Sequence, residues 1–123
     1  MSKMIKITAG MALALASSLA LACEYPDTPH IPDGGTASKD ELLSAKANVQ
    51  SYIAAVDEYL TCIENAEKQA VAELDNPAPE ELQRREDMLN KKFDAANEQK
   101  VMIGEQFNQQ IRAYNAKVKE GGG

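Results

Sequence analysis

At 123 residues the chain is long enough for one small domain, and its 19 acidic against 13 basic residues leave a net charge of −6. It has no Trp, only six Tyr and Phe in total, and no basic stripe. An acidic surface of this kind repels phosphate and anionic lipid, so a nucleic-acid partner is excluded.

The first 22 residues read as an export signal. Lys3 and Lys6 give a short positive start, Ile7 to Ala22 is mostly apolar, and Ala20-Leu21-Ala22 has the small-x-small form of a signal peptidase site. Cleavage after Ala22 is therefore expected. It would remove two bases and no acids, taking the charge to −8 (11 basic against 19 acidic). No second apolar run follows, so residues 23–123 are not expected to span a membrane.

Cys23 would then be the first residue, and two fates compete for its sulfur. Ala20-Leu21-Ala22-Cys23 resembles the lipobox of bacterial lipoproteins, in which the cysteine is acylated and becomes the new N-terminus. The resemblance covers four residues. The family's Leu three before the Cys and small residue two before it are here Ala20 and Leu21. It implies a lipid anchor at Cys23, the one route by which this chain would meet a membrane. The other fate is a disulfide with Cys62, the only other cysteine, as an exported two-cysteine chain favours.

Residues 23–37 form the least helical part. Pro26, Pro29 and Pro32 recur every third residue, the period of a polyproline II helix, so their rings line one edge. Asp33-Gly34-Gly35 supplies a turn. One reading is a proline-rich ligand for another domain; the other is a stiff strap lying on the chain's own helices. Reach is consistent with the strap. Cys62 lies about 36 Å along a helix that starts at Ser38, and 15 extended residue steps cover up to roughly 50 Å.

Ser38-Lys39-Asp40-Glu41 is a Ser-x-x-Glu capping box. Beyond it Leu42, Ala45, Val49, Tyr52, Val56, Tyr59, Ile63, Ala66 and Ala70 follow in steps of three and four, the spacing of one apolar helix face. This predicts a helix over 38–75, ended by Pro77 and Pro79. A second helix is expected over 79–119. Pro79, Glu80 and Glu81 suit its first turn, and Leu82, Leu89, Phe93, Ala96, Ile103, Phe107, Ile111, Tyr114 and Val118 form its apolar positions. Glu80 with Arg84, Glu81 with Arg85 and Asp87 with Lys91 are spaced to pair along it. Gly104 marks a kink, a break or a close helix contact, and residues 120–123 are expected to be a disordered tail. The short connection makes the helices antiparallel. Helix one is strongly acidic and helix two near neutral, which favours their pairing.

Little in the chain points to catalysis. His30 is the only histidine, flanked by Asp27 and Asp33, and this falls short of a structural zinc set. There is no nucleophile–histidine–acid arrangement, phosphate-binding glycine loop, haem or redox cysteine motif, or calcium loop. Tyr52 and Tyr59 share a face, as core residues or as the wall of a groove for an apolar peptide or lipid.

The sequence thus describes an all-α protein: an antiparallel two-helix hairpin over 38–119 with an extended N-terminal strap. It is expected to be exported, periplasmic or secreted, with no enzymatic activity and no cofactor. Its role is structural or one of protein interaction in the cell envelope, through a partner or through a homodimer that thickens a thin core. Two alternatives stand beside this: a chaperone-like or lipid-binding module whose apolar face opens, and a lipoprotein adaptor anchored at Cys23. In layout the chain resembles small periplasmic helical proteins, although the Leu-Thr-x-x-Gln repeats of one chaperone family among them are absent.

Overall fold

The structure, a computed structural model, describes residues 23–121. The expected leader, with its cleavage point at Ala22, lies outside the described residues. Two helices form an antiparallel hairpin: α1, Lys39–Ala72, and α2, Pro79–Gly121. No strand occurs among the described residues.

The start of α1 follows from its cap. The Ser38 hydroxyl accepts from the Glu41 N–H (3.1 Å), and the Glu41 carboxylate accepts from the Ser38 N–H (2.7 Å). These two bonds satisfy two donors that a bare helix end leaves open. Ala37 and Leu42, on either side of the box, are both buried and fix the angle at which the chain enters.

Helix α1 ends three residues before the expected 75. Asn76 takes a left-handed conformation (φ 48°), which asparagine tolerates better than most residues, and it precedes Pro77. Ala78 then accepts from the N–H groups of Glu81 and Leu82, with Pro79 at the first helical position. The far end departs from expectation in the other direction. Glu120 and Gly121 belong to α2 rather than to a disordered tail, and residues 122–123 are outside the described set. Gly104 does not break α2, and a Cβ there would meet nothing within 4 Å, so it serves no close contact either.

The core is narrow. Ala45, Val49, Tyr52, Val56 and Leu60 of α1 form one cluster with Ala96, Ile103 and Phe107 of α2, with Val56 wholly enclosed. The expected α1 stripe ran on through Tyr59, Ile63, Ala66 and Ala70. The buried line instead steps from Val56 to Leu60, leaving Tyr59, Ile63 and Ala70 half-buried and Ala66 exposed. A straight helix drifts by about 20° per heptad, which carries the contact line away from a strict seven-residue stripe. On α2, Leu82 and Val118, expected apolar positions near its two ends, are exposed.

Among the described residues two ion pairs span the hairpin. Lys100 meets Asp57 at 2.6 Å, and Arg85 grips Glu67 through two bonds of 2.8 and 3.2 Å. Of the expected pairs within α2, Arg85 is drawn chiefly to Glu67 and lies 3.7 Å from Glu81, while Arg84 takes Glu81 in place of Glu80. Asp87 accepts from Gln83 rather than pairing with Lys91.

Candidate functional site

The feature that sets this hairpin apart is the segment lying on it. Residues 23–33 take no regular secondary structure, and Cys23, Pro26, Pro29 and Pro32 are half-buried at every third position. Glu24, Tyr25, Asp27, Thr28 and His30 between them are exposed. Threefold burial is the pattern of a polyproline-like chain with one edge against a surface. The dimensions agree. The eleven steps from Gly34 to Cys23 cover about 34 Å at the polyproline rise, and the 23 helical steps from Lys39 to Cys62 cover about 35 Å. Strap and helix are matched in length and opposed in direction.

Each end of the strap is fastened differently. At one end Cys23 is joined to Cys62, with Cα atoms 5.7 Å apart and a separation of 39 in sequence. This separation lies in the ordinary range for a disulfide. The acylation implied by the lipobox resemblance would need this same sulfur. At the other end Asp33 builds the turn: its carboxylate accepts from the Gly35 N–H (2.8 Å), and its carbonyl accepts from the N–H groups of Thr36 and Ala37. The buried Gly34 donates its N–H to Gln110 Oε1 at 2.9 Å. A Cβ on Gly34 would lie 1.8 Å from the Gln110 carbonyl oxygen, so only glycine lets the strap come this close to α2. Lys117 closes this end by donating to the Ala37 carbonyl at 3.0 Å.

Between these ends, Tyr25 lays its ring edge-on to Tyr52 and Tyr59, with centroids 6.3 and 5.1 Å away. The Tyr25 and Tyr52 hydroxyls share a hydrogen bond of 2.8 Å. Tyr52 is only 4% exposed, so this bond supplies a partner for a hydroxyl that water barely reaches. Although Tyr25 as a whole is 40% exposed, desolvation of its phenol, and next the bond to Tyr52, push it up to about 12. The sequence placed Tyr52 and Tyr59 on one face, and the structure brings both against the strap. Tyr25 went unnoticed in the sequence; its position two residues after the pinned Cys23 was the available signal. Ile31 adds a partly buried apolar contact to the core.

The groove does not stop where the strap does. Beyond Cys23 it continues as an open cleft of about 480 Å³ whose walls include Tyr59, Ile63, Ala66 and Ala70 of α1 and Leu89 of α2. Arg84, Arg85 and Lys92 stand on its α2 side and Glu67 on its α1 side. Hydrogen bonding to Arg84 holds the Glu81 carboxyl below the usual range, so the Arg84 charge is shared with that residue. His30, by contrast, is exposed beside Asp40 and Glu41. Among the described residues no three His, Cys, Asp or Glu side chains converge as a metal site would require.

Comparison with family models, with curated proteins and with solved structures finds no match to this chain. What can be said of its role therefore comes from its own residues.

Proposed function

We propose that the protein is a small exported helical module without enzymatic activity, whose role in the cell envelope is structural or one of binding another protein or a second copy of itself. The Cys23–Cys62 bond carries this reading. Such bonds persist in oxidising compartments and are rare in the reducing cytosol. Among the described residues no helix is long and apolar enough to cross a membrane, which is compatible with export in soluble form. The groups that the fold gathers also favour a binding role. They are tyrosines, prolines and ion pairs arranged to hold segments of chain against one another.

Intact-mass and N-terminal analysis of the native protein tests the reading. A chain beginning at Cys23, unmodified and two hydrogens lighter than its reduced form, supports it. An acylated Cys23 would give the lipid-anchored adaptor its place instead. A chain that keeps residues 1–22 and carries two free thiols would remove both.

A further inference from the structure

We infer that the open groove beyond Cys23 docks an extended, proline-spaced segment of a partner protein that carries carboxylates. The inference rests on the binding role proposed above. Its first support is continuity. The strap shows that the surface of this hairpin holds a threefold extended chain by seating every third residue, and the open groove prolongs that track. Tyr59 belongs to both parts: it packs on Tyr25 of the strap and also lines the open cleft.

Size sets the length of the occupant. From Tyr59 to Ala70 the groove follows about 16 Å of α1, which is the reach of about five residues of polyproline-like chain. Its floor suits prolyl rings. Ala66 and Ala70 leave shallow recesses, with Ile63 and Leu89 beside them. Prolines at every third position present two rings over that length, and a segment already restricted in conformation loses little entropy on docking.

Charge sets the occupant's chemistry. The whole chain carries −6, yet three bases and one acid line this cleft. Arg85 is engaged by Glu67 and Arg84 by Glu81, while among the described residues Lys92 makes no ion pair. A carboxylate on the incoming segment finds the Lys92 ammonium there without displacing an existing pair, and opposite charge guides its approach. The chain's own strap has this composition, with Glu24, Asp27 and Asp33 set among its prolines.

Fluorescence anisotropy on the oxidised native protein tests the inference. The probe is a labelled nine-residue peptide with proline at every third position and aspartate at two of the others. Saturable binding is expected, weakened at least about tenfold by Ala66→Glu, which fills a recess for a prolyl ring, and by Lys92→Glu, which places a carboxylate where the peptide's own would sit. Both positions are exposed, and unchanged thermal unfolding of each variant shows that the fold is kept. Absence of saturable binding would overturn the inference, as would equal binding of a peptide with the same residues in shuffled order, or an affinity indifferent to both variants. Phosphatidylglycerol vesicles that bind the protein and lose it in both variants, while the peptide stays unbound, would assign the groove to a lipid headgroup and also overturn it. A native chain that begins at Cys23 and fails to bind the peptide defeats the inference but leaves the proposed export intact. A native chain lacking that start defeats the proposed export whatever the peptide does.

Discussion

Replacing both cysteines, as Cys23→Ser with Cys62→Ser, lowers the melting temperature of the oxidised protein and leaves that of the reduced protein nearly unchanged. Changing both avoids a lone thiol that would join two molecules. The bridge links residues 39 apart in sequence. In the chain-entropy description, closing a loop of that length disfavours the unfolded state by about 4 kcal/mol. For a domain of this size each kcal/mol is worth roughly 4–8 °C, so a fully effective bridge accounts for about 20 °C. Bridges often deliver less than the entropic value, and a drop of at least about 8 °C is the outcome that counts as agreement. The assay is thermal unfolding followed by circular dichroism at 222 nm (a wavelength of about 220 nm reports helix), on oxidised wild type, reduced wild type and the double variant. The last two should coincide. Coincidence of oxidised wild type with the double variant would refute the reasoning, because the strap would then add nothing when pinned.

Three further outcomes follow from the strap's contacts and from α2. Tyr25→Phe leaves the buried Tyr52 hydroxyl without its partner and costs about 1 kcal/mol or more in urea unfolding, whereas Tyr25→Phe combined with Tyr52→Phe costs less than the single change; a double variant weaker than Tyr25→Phe alone would contradict this. Gly34→Ala forces a Cβ into the Gln110 carbonyl and lowers stability by about 1–3 kcal/mol, while Gly104→Ala fills open space in a helix and raises it by up to about 1 kcal/mol; urea midpoints moving in the same direction for both would be inconsistent with the packing described. Because the Tyr25 phenol is raised from 10.0 to about 12 in the fold, the folded chain keeps a proton that the unfolded chain releases. Its contribution is therefore full below pH 10 and is lost as the pH rises from 10 to 12. Urea midpoints should decline over that interval, and less steeply for Tyr25→Phe.

Much of the fold could be read from local chemistry. The capping box, the Pro77–Pro79 stop and the three-and-four spacing of apolar residues act within a few residues of themselves, and they placed both helices. The reach of the strap and the two cysteines were enough to suggest a clasp. What could not be read depends on who faces whom. The departure of the buried line toward Leu60, the exposure of Ala66 and the preference of Arg85 for Glu67 over Glu81 arise only once the helices have a register. Gly34 read as a turn residue because its reason for being glycine, the Gln110 backbone, is 76 residues away in sequence. The open groove was illegible for the same cause. Its residues belong to the predicted apolar stripe, and how far the described strap runs over them shows only in the fold.

The account stands or falls on a strap, residues 23–33, folded back over α1, and proton nuclear Overhauser contacts of the oxidised protein observe that most directly. Cross-peaks from the Tyr25 ring to the rings of Tyr52 and Tyr59 are the predicted result, given centroids 6.3 and 5.1 Å apart. Their absence, with residues 24–33 at the chemical shifts of an unstructured peptide, would contradict it.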